Sequence, residues 1–180
     1  TEDAARSGAA HMAVGFTGTD TISAIDYLED YYNANADSEL IGGSVPATEH
    51  SVMCAGGKDT ERETFKRLIT ETYPSGIVSI VSDTWDFFNV VSNIAPSLKS
   101  EIVNRSPNAL GLAKVVFRPD SGDPTKIICG DPTATPGSNE HKGAIQILWE
   151  NFGGTVNAKG YKELNPRVGL IYGDSITLQR

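Results

Sequence analysis

The stretch GIVSIVSD, residues 76–83, decides which fold the sequence predicts. Its first six residues are mostly apolar and β-branched, and a serine and an aspartate follow them, a pattern typical of a buried strand. Two further runs share this pattern, residues 113–117 (AKVVF) and residues 168–172 (VGLIY). Because strands that read as continuous apolar runs are covered on both faces, we expect the three strands to form a mainly parallel sheet.

Amphipathic segments lie before and between these strands. In residues 21–32 the apolar side chains recur at positions i, i+3, i+4 and i+7, which is the spacing of one helix face. Similar patterns predict helices over residues 58–72, 84–94 and 143–152. Alternating strands and helices predict an α/β fold in which helices flank the sheet. Residues 121–142 are rich in Pro, Gly and Asp, which predicts an exposed loop or a small lobe.

Polar residues follow all three predicted strands. Asp83 follows the first strand, Arg118 and Asp120 the second, and Gly173 with Asp174 the third. Since the carboxyl ends of parallel strands meet at one edge of a sheet or barrel, we expect these groups to share a site. Arg118 and Asp120 are two positions apart, so in an extended segment both side chains would enter the same pocket.

Simpler interpretations of the same residues remain open. Asp83 and Asp174 could serve simply as N-caps of the helices that follow them. Arg118 and Asp120 could form a surface ion pair. The candidate N-caps are Thr19, Asp20 or Thr21 for the helix over residues 21–32, and Asp83 or Thr84 for the helix over residues 84–94.

His50 lies in the stretch SVPATEHS, residues 44–51, and is one of three histidines. A metal-ligand role is disfavoured because no second His or Cys stands at ligand spacing. The residues alone leave open whether His50 is catalytic or an ordinary loop histidine. A catalytic imidazole needs an orienting partner on its other nitrogen. We expect Asp83 to be that partner, because adjacent side chains such as Glu49 usually point away from each other in an extended loop.

Composition excludes several classes of protein. The chain has 180 residues and a formal charge of −8, which disfavours a nucleic-acid partner because phosphate binding needs clustered Lys and Arg. No apolar run approaches the roughly 18 residues of a membrane span. The two cysteines show neither metal-type spacing nor disulfide density, so we expect free thiols in a reducing, cytoplasmic setting.

Seven stretches, taken together and in order, resemble the type II phosphoribosyltransferases that act on nicotinamide. They are FTGTDT (residues 16–21), SVPATEHS (44–51), KD (58–59), VSD (81–83), RPDSGDP (118–124), KGYK (159–162) and GD (173–174). The resemblance covers essentially the whole chain except the stretch around residues 125–142. It implies that residues 1–180 form one region of a (β/α) barrel. Because the family is larger than this chain, it also implies a central fragment of a longer enzyme.

The resemblance implies a reaction and its cofactors. Phosphoribose would pass from phosphoribosyl pyrophosphate to nicotinamide, giving nicotinamide mononucleotide and pyrophosphate in NAD salvage. Mg²⁺ is expected through the substrate's pyrophosphate, with few direct protein ligands. In the family the histidine matching His50 can accept a phosphoryl group from ATP, so ATP is a candidate cofactor. A homodimer is expected because the family's nicotinamide site takes an aromatic ring from the partner subunit.

The resemblance also implies residue roles. His50 and Asp83 match catalytic positions. The positions implied to bind substrate are Asp20, Ser44, Val45, Ser79, Arg118, Asp120, Gly173 and Asp174. Asp20 matches the position that selects the amide, because a carboxylate accepts a hydrogen bond from the nicotinamide NH₂ and repels a nicotinate carboxylate.

Two alternatives remain at this point. One is a relative that prefers nicotinic or quinolinic acid, against which Asp20 argues. The other is a noncatalytic or incomplete fragment, which would expose unpaired strand edges and apolar helix faces and so tend to self-associate.

Overall fold

The computed structural model describes residues 2–173. The chain divides into two compact units, Thr1–Val45 and Pro46–Arg180, and each is described by itself. Asp174, which we expect to bind substrate, lies outside the described residues. Among residues 2–173, no helix is long and apolar enough to cross a membrane.

The first unit is built on two helices, α1 (Glu2–Ala13) and α2 (Ser23–Tyr32). They pack through a small apolar cluster formed by Ala9, Met12, Ala24 and Leu28. Helix α2 confirms the helix predicted over residues 21–32. The predicted cap is wrong, because the N-cap is Ile22, which makes no side-chain hydrogen bond. Helix α1 is not anticipated by the sequence analysis.

The second unit contains the predicted sheet. Its strands are β1 (Ile77–Val81), β2 (Lys114–Arg118), the short antiparallel pair β3 (Gly154–Val156) and β4 (Lys162–Leu164), and β5 (Val168–Leu170). Strands β1, β2 and β5 form a parallel sheet in the order β1-β2-β5. All three predicted strands are thereby confirmed, and the fold is α/β. The β3–β4 hairpin is not anticipated, because its short strands carry no apolar run.

Helices connect and cover the strands. They are α3 (His50–Cys54), a 3₁₀ turn (Lys58–Thr60), α4 (Glu61–Arg67) continued by a π-helical turn (Leu68–Thr72), α5 (Phe87–Asn89) continued by a second π-helical turn (Val90–Ile94), α6 (Ala95–Ser97), α7 (Lys99–Val103), α8 (Pro124–Cys129) and α9 (Asn139–Phe152). Helices are therefore confirmed in the three predicted stretches of this unit. Within residues 121–142 the structure shows helix α8 and the start of α9, separated by turns.

Two helix starts differ from prediction for identifiable reasons. The helix predicted from residue 84 begins at Phe87, because Asp86 is its cap and its side chain accepts a hydrogen bond from the N–H of Asn89, 3.0 Å away. Asp83 and Thr84 are therefore not caps. Helix α9 begins before Gly143, and this glycine forms a kink at a φ of 75°. Ser138 caps it by accepting from the N–H of His141.

The core lies between the sheet and its helices. Val78, Ile80, Val115 and Phe117 are fully buried, and the ring of Phe117 stacks on Phe65 of α4 with 6.3 Å between centroids. Burying a side chain of this size contributes about 1.5–3 kcal/mol. The core therefore holds strands β1 and β2 against the helices.

The buried side chain of Arg105 stabilises the segment just before β1. Arg105 is 3% exposed, and its guanidinium donates hydrogen bonds to four backbone carbonyls. The acceptors are the carbonyl oxygens of Ile69, Tyr73, Ser75 and Gly76. Burial lowers the pKa of Arg105, and no carboxylate pairs with it among the described residues. The guanidinium of Arg105 thus links the end of the preceding helix to the start of β1.

Candidate active site

Strand register brings the polar strand ends together. Val81 pairs with Arg118, so Asp83 and Asp120 each lie two residues beyond that pair. The backbone N–H of Asp120 donates to Oδ2 of Asp83 at 2.8 Å. Asp83 and Asp120 therefore lie side by side at the carboxyl edge of the sheet, where parallel sheets place their sites.

The segment before His50 runs alongside β1. Ser79 donates its N–H to the carbonyl of Pro46 at 2.8 Å, and its carbonyl accepts from the N–H of Thr48 at 3.0 Å. The buried Thr48 hydroxyl accepts from the N–H of Val81 at 2.9 Å. His50 then begins helix α3 close to the end of β1. It is therefore a helix-start residue rather than a loop residue.

His50 and Asp83 form a hydrogen-bonded pair. Nε2 of His50 lies 2.9 Å from Oδ1 of Asp83. Since a carboxylate only accepts, Nε2 carries the proton and Nδ1 is left as the acceptor nitrogen of the neutral ring. The imidazole is about half exposed, whereas the Asp83 side chain is only 6% exposed. Asp83 is the buried orienting group, and the ring faces solvent.

Three contacts stabilise the ionised form of Asp83. Burial by itself would raise the pKa of this carboxyl. The hydroxyl of Ser121, the N–H of Asp120 and the neighbouring His50 together outweigh burial and hold the pKa below its ordinary value of 3.8. Ser121 donates to Oδ2 at 2.6 Å. Asp83 is therefore a fixed anion near neutral pH.

Arg118 lies between two carboxylates. Its Nη2 is 3.1 Å from Oε1 of Glu49, and its Nε is 3.3 Å from Oδ1 of Asp120. The Arg118 side chain is 15% exposed, so this is not the surface ion pair considered above. The structure brings Arg118 and Asp120 to one place, as their spacing of two positions predicts.

Two further predicted positions lie in the sheet or at its edge. The hydroxyl of Ser79 is buried and has no hydrogen-bond partner among the described residues. Gly173 lies beside Asp120, because both residues stand three positions beyond the pair Phe117–Leu170. A Cβ at Gly173 would lie 3.3 Å from Oδ1 of Asp120. Only a residue without a side chain leaves that carboxylate undisturbed.

Two of the predicted residues in the first unit contact each other. The hydroxyl of Ser44 donates a hydrogen bond to Oδ1 of Asp20. Asp20 does not cap helix α2, so the capping interpretation is wrong and its carboxylate is oriented by Ser44 instead. Both residues are exposed, as is Val45.

The site of the second unit is rich in negative charge. Glu49, His50 and Asp120 each offer one ligand atom, and these atoms lie within 4.8 Å of one another. Adding Asp83 gives three carboxylates against the single guanidinium of Arg118. Carboxylate oxygens suit Mg²⁺, which binds proteins through one or two carboxylates plus substrate phosphates. A cation held there would offset the repulsion between these carboxylates and an anionic ligand.

Sequence reasoning missed two residues of this arrangement. Glu49 was expected only to point away from the adjacent His50 and was given no role, yet it contacts Arg118, and Ser121 was not assigned to any role. Both belong to the quoted stretches SVPATEHS and RPDSGDP, which is the one signal that marks them. Their partners lie 69 and 38 positions away, beyond the reach of local spacing.

The fold and the site thus define an α/β domain with an imidazole oriented by a carboxylate and a guanidinium held between two carboxylates near its strand ends. A family model then specifies the class: the chain belongs to the nicotinate phosphoribosyltransferase (NAPRTase) family, matched over residues 2–180.

Three relatives extend this comparison, and each is named nicotinamide phosphoribosyltransferase. The protein of Acinetobacter baylyi is 66% identical over 99% of this chain and 34% of its own length. The protein of Mycoplasma pneumoniae is 41% identical over 83% of this chain and 32% of its own length. The protein of Xanthomonas campestris is 36% identical over 98% of this chain and 33% of its own length. The chain thus spans about a third of the length of these relatives.

Proposed function

We propose that this chain contributes the His50–Asp83 pair to an enzyme that transfers phosphoribose from phosphoribosyl pyrophosphate to nicotinamide. The products are nicotinamide mononucleotide and pyrophosphate, as in NAD salvage. The observation that carries the proposal is the 2.9 Å contact between His50 and the buried Asp83, in a chain of this family. The names of the relatives, 66% and 41% identical, support the choice of substrate.

The reaction requires charged groups placed around the ribose and the leaving group more than it requires a strong base. Pyrophosphate leaves from an anomeric carbon, so positive charge develops on the ribose in the transition state. Asp120 and Asp83 would favour that charge and Arg118 would bind the anionic donor. Mg²⁺ bound through the pyrophosphate, with Asp120 or Glu49 as nearby oxygen donors, would offset the charge of the leaving group.

His50 would act next to the pyrophosphate. Because Asp83 accepts from Nε2, the available nitrogen is Nδ1. This is the nitrogen that would accept a phosphoryl group from ATP, and Asp83 would then stabilise the charged ring. The fixed anionic state of Asp83 suits that role.

Asp20 would select the amide substrate. Its carboxylate, oriented by Ser44, can accept a hydrogen bond from an NH₂ group and repels a carboxylate. A preference for nicotinic acid is the second candidate function, since the family model bears the name of nicotinate. The carboxylate of Asp20 disfavours it.

Three further features belong to the proposal. The parallel sheet would be part of a closed (β/α) barrel, the enzyme would be a homodimer, and it would work in the cytoplasm. The parallel order β1-β2-β5 with helical connections supports the barrel.

Turnover tests the proposal directly. We would measure nicotinamide mononucleotide formation with Mg²⁺ in the protein that carries this chain, with nicotinic acid as the competing substrate. We expect His50→Ala to lower turnover and Asp20→Ser to shift preference toward the acid. His141→Ala and Asp30→Ser, which change the same residue types outside the site, serve as controls. Turnover that is absent, or indifferent to His50→Ala, would overturn the proposal.

A further inference from the structure

Glu49 occupies the N-cap position of helix α3 without using its side chain as a cap. Its backbone is extended, and its carbonyl accepts from the N–H groups of Val52 and Met53 at 3.0 and 3.2 Å. The side chain makes no capping hydrogen bond. Shorter residues such as Ser, Thr or Asp are preferred at this position because their oxygen reaches the first turn. A glutamate here has no local role that explains it.

The Glu49 side chain reaches instead to the end of strand β2. Its Oε1 accepts from Nη2 of Arg118 at 3.1 Å, across 69 positions of sequence. Glu49 is 68% exposed, whereas Arg118 is 15% exposed. Loss of the contact would therefore cost Arg118 more free energy than Glu49, because the buried guanidinium has lost most of its hydration.

This contact is the one hydrogen bond that the guanidinium makes within residues 2–173. Nε is buried and lacks a hydrogen-bond partner, although Asp120 lies 3.3 Å away. Nη1 donates no hydrogen bond among the same residues. A planar guanidinium held along its Nε–Nη2 edge by two carboxylates has a fixed orientation, and its remaining nitrogen is left for a ligand.

We propose that Glu49 is a positioning residue, which holds the guanidinium of Arg118 so that Nη1 can bind the anionic phosphoribosyl donor. The proposal rests on the proposed function for the identity of that ligand. Without Glu49, Arg118 keeps its charge beside Asp120 but loses its hydrogen bond. The guanidinium would then sample several rotamers, and ordering it would weaken binding of the donor.

A double-mutant cycle tests the proposal. In the protein that carries this chain, Glu49→Ala should raise the KM for phosphoribosyl pyrophosphate about tenfold or more, the equivalent of one hydrogen bond to a charged group. We expect kcat to change less than KM. Glu49→Gln keeps an acceptor oxygen and should restore much of the loss. Glu63→Ala, which removes an exposed glutamate paired with Arg62, is the matched control.

The cycle separates positioning from an independent effect. In an Arg118→Lys background, Glu49→Ala should add little, because the group that it positions is gone. If Glu49→Ala raises KM by the same factor in both backgrounds, the proposal is overturned.

A second readout does not depend on turnover. The Nε–H signal of Arg118 in an NMR spectrum of this chain, assigned by Arg118→Lys, should broaden or shift in Glu49→Ala and remain in Glu63→Ala. An unchanged signal in Glu49→Ala would overturn the positioning role. If the wild-type protein shows no turnover but the signal changes as expected in Glu49→Ala, the proposed function is overturned. The positioning role of Glu49 then remains supported.

Discussion

The backbone N–H of Asp120 donates a hydrogen bond to Oδ2 of Asp83 across 2.8 Å. This bond joins the ends of two neighbouring parallel strands, and it engages the carboxylate oxygen that does not contact His50. One oxygen of Asp83 is therefore held by the sheet edge, and the other is left to orient the imidazole. The orientation of His50 depends on the sheet register.

Replacing Asp83 tests this dependence. Asp83→Asn keeps the shape but removes the charge, so the ring loses its fixed acceptor and both neutral tautomers become accessible. We expect turnover to fall at least about tenfold. The ¹⁵N shifts of the imidazole should change from one Nε2–H tautomer to a mixture. With three histidines in the chain, His50→Ala suffices to assign the signals. A single unchanged tautomer would contradict the role of Asp83.

Ser121 should stabilise the protein in a pH-dependent way. Its hydroxyl donates to Asp83, so Ser121→Ala should lower the free energy of unfolding by about 1.5–3 kcal/mol at pH 7, whereas Ser121→Thr should not. Because the folded pKa of Asp83 is lowered, this stabilisation is present above the unfolded value of 3.8 and is lost as pH falls through the folded pKa.

Urea unfolding at pH 7 and at steps below pH 3.8 measures this difference. Both tryptophans, Trp85 and Trp149, lie in the unit Pro46–Arg180, so their fluorescence reports the unit that contains Ser121. The difference in free energy of unfolding between wild type and Ser121→Ala should shrink as the pH falls. If it stays constant through the acid range, the stabilisation by Ser121 does not depend on ionised Asp83.

Glu61 should destabilise the protein at neutral pH. It is 3% exposed, and its Oε1 has no partner among the described residues. Burial, with a smaller contribution from Asp86, raises its pKa from 4.5 to about 6. A raised pKa in an acid means that the folded state binds the proton more tightly, so stability falls as pH rises from 4.5 to about 6.

Glu61→Gln should therefore stabilise the protein at pH 7–8 by about 2 kcal/mol, and the gain should vanish below about pH 4.5. Thermal unfolding across this range measures it. The control is Glu63→Gln, an exposed glutamate of the same helix, which should change little. Destabilisation by Glu61→Gln at pH 8 would mean that the charge of Glu61 is needed.

Arg105 should be a large contributor to stability. Lysine offers one ammonium in place of the planar fork, so Arg105→Lys leaves several of the four carbonyls without a donor. We expect a loss of about 3–5 kcal/mol in urea unfolding, because each buried carbonyl left without a donor costs about 1–3 kcal/mol. Arg67→Lys, at an exposed arginine, should cost little. Equal effects of the two substitutions would refute the role of Arg105.

The sequence by itself determined the strands and most of the helices of the second unit. Apolar runs such as residues 76–81 and 168–172 are short and rich in β-branched residues, which is typical of strands rather than of helices. It also showed which residues follow each strand. Because the register of a parallel sheet aligns strand ends, the meeting of Asp83 with Asp120 followed from two local patterns.

The capping predictions failed because local rules compete with tertiary contacts. Asp83 and Asp20 both stand where an N-cap is expected. Each binds a distant donor instead, Ser121 in one case and Ser44 in the other. Similarly, the helix after β1 begins at Phe87 because the side chain of Asp86 caps it.

Only the tertiary structure decided which side chains share a partner. Glu49 and Arg118 are 69 positions apart, and no periodicity relates them. Their contact exists because residues 46–48 run beside β1, and β1 runs beside β2. Hydrophobic burial fixes elements from local pattern, whereas hydrogen bonds and ion pairs depend on distances of about 3 Å between groups that folding alone brings together.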